Sequence, residues 1–229
     1  MINVLQLGVF TAEGLCFAYS LYQKNKLNQS DLKWLPWVLG FIFFSDLLGV
    51  GLTHTLFAAN KIAFNLPYYN TTTSLIIHFL TVLFLRNLQG KVVRNLVVAG
   101  LISFWLLFLF NVIWLQPFLT RLHTYSFAYG SVVLCLAVIF YIRQLVRSER
   151  IVDLHSDPLF WIGVGIIPFY GLNIPYMAMY NYLALYMQDL LLILRNITNF
   201  LCYLMYGSIF IGLLCLKKKL SSESSQVVW

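Results

Sequence analysis

Charge is what this chain has least of. Only 10% of its 229 residues are Asp, Glu, Lys or Arg, while 60% are hydrophobic. Soluble domains carry roughly 25% charged residues. So few charges cannot cover a surface that faces water on every side. That excludes an ordinary soluble domain and points to an integral membrane protein. Acids are the scarcer sign, 8 against 15 Lys and Arg. No basic patch interleaves with aromatics outside the apolar runs, so no nucleic-acid surface is expected.

Cysteine is sparse as well. Cys16, Cys135, Cys202 and Cys215 all fall inside apolar runs, and no CxxC or Cys/His cluster occurs. They read as small buried hydrophobes, with no disulfide framework and no metal site. HExxH and GxSxG are missing, so no catalytic residue is assigned and the chain does not read as an enzyme. The opening "MINVLQLGVF" lacks a basic n-region and reads as a retained first helix. The ten-residue alternating segments of a membrane β-barrel are missing too.

What is present is length in the apolar runs. Crossing about 30 Å of hydrocarbon takes roughly 20 helical residues. Seven runs qualify, at about 2–22, 34–57, 67–86, 96–116, 123–143, 158–182 and 189–216. The expected fold is a single all-α domain over 1–216, a seven-helix transmembrane bundle, followed by a basic and polar tail over 217–229. Asp157-Pro158 marks a helix start, and Pro67 opens the third helix in the same way. Pro168 and Pro175 lie seven residues apart inside the sixth run, which predicts a kink.

Basic residues report orientation. Lys24, Lys26 and Lys33 share one side with Arg86, Lys91 and Arg94. Arg143, Arg147, Arg150 and Lys217 to Lys219 fall there too. The other side has Lys61 and Arg121. This places the N-terminus outside and the C-terminus in the cytoplasm, in a multi-pass protein of a cell membrane.

The remaining basic residue, Arg195, stands inside an apolar run, where ionisable groups are expensive and usually functional. Glu13 is about eleven residues from the outer end of its helix, roughly 16 Å deep at 1.5 Å per residue. Asp46 and His78 fall at the same level, with Asn199 beside them and Arg195 about one turn higher. Glu13, Asp46, His78, Arg195, Asn196 and Asn199 therefore form an expected buried polar cluster, in which Arg195 pairs with the two acids. Interhelical packing glue is the competing reading. Tyr68, Asn70, Tyr170, Asn173 and Tyr176 lie in the outer half and are the candidates for an outward-opening ligand pocket. His54, His123 and His155 read as interfacial side chains. No cofactor is expected.

Seven helices invite family comparison. Microbial rhodopsins need a lysine midway along the last helix for retinal, and none precedes Lys217 here. G-protein-coupled receptors carry Asp/Glu-Arg-Tyr and Asn-Pro-x-x-Tyr motifs, and neither occurs. The likeness to both is topological, and topology does not carry function. Ser45, Asp46, His54 and His78 resemble part of the zinc site of alkaline ceramidases, but the seventh helix has no histidine and the expected His-x-x-x-His pair is missing. A zinc-dependent lipid hydrolase is thus the weakest reading. The seven-helix sugar-efflux type has a Pro-Gln signature that this chain lacks, yet acids at the midplane suit proton coupling. Proton-coupled transport of a small solute is the alternative. The stretches "DPLFWIGVGIIPFYG" and "LLILRNITNFLCYLMYGSIF", within Asp157 to Gly212, resemble uncharacterised bacterial seven-helix membrane proteins. The resemblance implies a sensory or signalling-accessory role in a bacterial inner membrane, with a cytoplasmic partner such as a histidine kinase.

Overall fold

The computed structural model describes residues 4–28, 32–58, 65–147 and 154–226, with the side chains of Val4, 53–58, His155 and 216–226 excepted. His54, Lys61, Arg150, His155 and the lysines of the tail therefore lie outside the described side chains. Among the described residues every regular element is helical. Seven long helices stand on the seven apolar runs: α1 (Val4–Tyr22), α3 (Leu35–Ala58), α4 (Asn65–Asn87), α5 (Lys91–Phe110), α6 (Thr124–Arg147), α7 (Pro158–Tyr186) and α8 (Gln188–Gln226). A short α2 (Lys24–Asn28) follows α1. Five of them, α3 and α5 to α8, are long and apolar enough to cross a membrane. In α1 and α4 polar residues interrupt the apolar surface: Gln6 and Glu13 in one, Asn70 to Ser74 and His78 in the other.

Local chemistry sets the helix ends. Asp157 caps α7, its Oδ1 accepting from the Phe160 N–H at 2.9 Å, with Pro158 at the first helical position. The same Oδ1 accepts from the Tyr141 hydroxyl at 3.0 Å, which ties the end of α6 to the start of α7. Helix α4 opens at Asn65, two residues before Pro67, so the proline occupies a first-turn position where no N–H is needed. Pro168 and Pro175 both sit inside α7, which stays helical for 29 residues. Helix α8 runs beyond the expected limit at 216 to Gln226, and nothing in "LKKKLSSESSQ" is a Pro or Gly that would stop it.

Six helices close a ring. Helix α1 packs on α3 and α8, α3 on α4, α4 on α6, α6 on α7, and α7 on α8. Helix α5 lies outside the ring, against α6 and, less, α4. The interface of α7 with α8 is the most extensive, and glycine makes it close. A Cβ at Gly165 would stand 2.9 Å from the Met205 carbonyl oxygen, and one at Gly212 only 2.7 Å from that of Pro158. Small residues let membrane helices approach backbone to backbone in this way.

Side chains join the helix ends into two levels. At one, Arg86 lies 5.4 Å over the Trp34 ring and Lys24 5.4 Å over that of Trp37. The Gln144 side chain there donates to the Asn87 carbonyl. At the other, Asn181 Nδ2 of α7 donates to the Leu122 carbonyl before α6 at 2.9 Å, and Tyr203 of α8 donates to the Leu5 carbonyl of α1 at 2.7 Å. The long helices thus alternate in direction.

Candidate functional site

Depth alone placed Glu13 and Asp46 on one level, and the ring brings them together. Their carboxyls are within hydrogen-bonding reach of each other, and the Tyr206 hydroxyl donates to Glu13. Glu13 is only 3% exposed, and its Oε2 atom has no hydrogen-bond partner. A hydrogen bond between two carboxyls requires a proton on one of them, so the pair carries at most one negative charge while it is made. That halves the charge to be buried and leaves one buried acceptor open.

Among the described residues the surroundings are aromatic and thiol, not cationic. Tyr206 and Tyr170 are both buried. Tyr170 of α7 and Cys202 of α8 lie within electrostatic range of Asp46. Cys16, one turn from Glu13, donates its thiol to the Tyr206 carbonyl at 3.3 Å, joining α1 to α8. Tyr68 of α4 donates to the Ser45 carbonyl at 2.6 Å, directly before Asp46. Four helices of the ring, with α7 behind them, therefore converge on one acid pair.

The other expected members of the cluster go elsewhere. Arg195 is exposed, and its guanidinium donates to Gln6 Oε1 at 3.3 Å. Gln6 precedes Glu13 by seven residues, so this contact lies roughly 10 Å along α1 from the acids. The expected ion pair of Arg195 with Glu13 and Asp46 gives way to a bond nearer the helix end, where a guanidinium stays solvated. His78 turns outward from α4, its Nδ1 accepting from Trp105 Nε1 of α5 at 3.2 Å. Asn196 is exposed and Asn199 half-buried, neither forming part of the pair.

The residues expected to line an outer pocket divide in two. Tyr68 and Tyr170 belong with the acids. Asn70 is a clamp: its Nδ2 donates to the carbonyls of Phe118 and Arg121, and its Oδ1 accepts from the His123 N–H at 2.8 Å. Asn173 donates to its own helix at Phe169 and accepts from Thr198 of α8 at 2.7 Å. Tyr176 packs edge-on against Tyr180. The polar groups of both asparagines are engaged in holding helices and a loop.

A second polar group, not singled out from sequence, lies between α5 and α6. Helix α5 ends in a π-helical turn, Asn111–Leu115. That turn aims buried Asn111 at Gln116 Oε1 (3.0 Å) and Ser126 Oγ (2.9 Å). Gln116 donates on to Thr124, and its carbonyl meets His123 Nε2 at 3.0 Å. A cluster of Asn, Gln, His, Thr and Ser around one Pro-containing loop was the available signal. Among the described residues no three His, Cys, Asp or Glu side chains gather where a metal ion could sit. Comparison with protein-family models, curated proteins and solved structures finds no match to this chain.

Proposed function

We propose that this chain is a seven-span protein of a bacterial inner membrane, N-terminus outside and C-terminus in the cytoplasm, with a sensory or signalling-accessory role. The single observation that carries this is the buried Glu13–Asp46 pair. A proton shared by two acids on different helices couples a chemical event to helix packing. Losing it would place two like charges side by side and push α1 from α3. Gaining a second would remove the last charge from the ring. Either is a two-state element of the kind a sensor needs. The basic residues at one level, Lys24, Arg86 and their neighbours, support the orientation and offer a docking face for a cytoplasmic partner such as a histidine kinase. Proton-coupled transport of a small solute rests on the same pair and is the second reading.

Glu13→Gln and Asp46→Asn test the proposal, since each keeps the side-chain shape and removes one acid. Infrared spectra of the reconstituted protein should show a carboxylic-acid C=O band that shifts in D2O and is lost in either variant. In cells, the sensory reading expects a changed downstream transcriptional output at normal membrane levels of protein. Lower yield with unchanged output would reduce the pair to packing glue. Solute-driven proton movement in vesicles, abolished by the same variants, would establish transport instead.

A further inference from the structure

Away from the acid pair, the outward side of α3 and α4 carries a cleft of about 500 Å³. Its α4 wall is His78, Val82 and Arg86, spaced four residues apart on one face, so it runs roughly 12 Å along the helix axis. Its opposite wall is Trp37 and Phe41 of α3, with Trp34 in the turn just before that helix. The lining is apolar except at the two ends. His78 closes the inner end, held by the Trp105 indole. At the basic end Arg86 lines the mouth and lies over Trp34, and Lys24 lies over the lining ring of Trp37; no acidic side chain among the described residues pairs with either.

The cleft opens sideways, not into the ring: Trp37 is 65% and Trp34 47% exposed. A volume of this size falls in the range of ligand pockets and far above the voids that close-packed interiors tolerate. An apolar slot needs an apolar occupant. Two cations at its mouth that no acid among the described residues pairs invite an anion, and tryptophan rings beside them mark the depth of lipid headgroups. We propose that this cleft seats one acyl chain of an anionic phospholipid from the leaflet at the basic end, with the headgroup phosphate between Arg86 and Lys24. The chain lies along Phe41 and Val82 and ends at His78. This assignment is independent of the acid pair and of the sensory reading.

Native mass spectrometry of the full-length protein in detergent tests it, with titrations of dioleoyl phosphatidylglycerol and dioleoyl phosphatidylcholine. Wild-type protein should bind the anionic lipid roughly 25-fold more tightly, about fivefold for each of the two basic residues at ~1 kcal/mol per residue near an anionic headgroup. Arg86→Gln and Lys24→Gln should each remove about fivefold of that preference, and Val82→Trp, which fills the slot, should weaken both lipids. Equal affinity for the two lipids, or a preference that survives both charge variants, overturns the proposal. So does displacement of phosphatidylglycerol by equimolar inorganic phosphate, which would make the anion alone the ligand. Arg86 and Lys24 are exposed, so their variants decide the matter even if Val82→Trp does not fold.

Discussion

Gly165→Ala should loosen the α7–α8 interface, and the same substitution a few turns away should not. At Gly165 a new Cβ would stand 2.9 Å from the Met205 carbonyl oxygen, 3.0 Å from Met205 Cα and 2.9 Å from Ser208 Cβ. Two of these are backbone atoms of a packed helix and cannot swing aside, so the helices must separate by several tenths of an ångström. Overpacking of this kind costs about 1–3 kcal/mol. Against it stands a gain of about 1 kcal/mol from replacing glycine by alanine within a helix. Gly207 of α8 and Gly171 of α7 have nothing within 4 Å of the added carbon. There the helix gain acts alone. Gly165→Ala is therefore expected to be less stable than Gly207→Ala by about 1–3 kcal/mol, roughly 2–12 °C in Tm for a chain of this size. Thermal unfolding in detergent, followed by circular dichroism, measures the difference. Equal stability of the two variants would refute the close packing of α7 on α8, and with it this side of the ring.

Further outcomes follow from the loops and caps. Asn70→Ala strands the carbonyls of Phe118 and Arg121 and the His123 N–H. Its cost should be about 2–4 kcal/mol, at about 1–3 kcal/mol for the buried His123 N–H and about 0.5 kcal/mol for each of the two part-buried carbonyls, and proteolysis should quicken between 116 and 123. Asp157→Ala removes both the α7 cap and the Tyr141 partner and should lower stability by about 2 kcal/mol. Asp157→Asn, an equally good cap, should cost far less in the same unfolding assay. Burial lowers the His123 imidazole from its ordinary value, opposed in part by its bond to the Gln116 carbonyl. The unfolded chain takes up that proton below about pH 6.5 and the folded chain only at lower pH. Stability should thus decline as pH falls through that window. His123→Gln should flatten that decline, read from denaturation midpoints between pH 7.5 and 5.5.

The helices were legible because hydrocarbon demands long apolar runs, and each of the seven runs carries a long helix. Their ends were less so. Lys91, Arg94 and Asn95 start α5 earlier than the apolar run, because polar residues sustain a helix outside hydrocarbon as well as any others. Within the site, depth could be counted, and it brought Glu13 level with Asp46. Facing could not. The polar stripe on α4 largely satisfies itself: Ser74 donates to the Asn70 carbonyl and Thr81 to that of Ile77, each four residues back. Such residues need no neighbour, so they do not show which side faces the acids, and His78 turned to Trp105 instead. Arg195 was misplaced for a related reason. Its level depended on where α8 starts, and its real partner, Gln6, lay at the outer end of the same α1 seam as Glu13.

The ring closes where α1 meets α8, the first and the last of its helices to be synthesised. The acids reside on α1 and α3, so they can meet before α8 is made. Glu13 then waits with only Asp46 for company until Tyr206 arrives. The closing seam carries three side-chain hydrogen bonds, Cys16 to Tyr206, Tyr203 to Leu5 and Arg195 to Gln6, beside the ring contact of Tyr19 with Phe210. It is the last wall of the ring to be built.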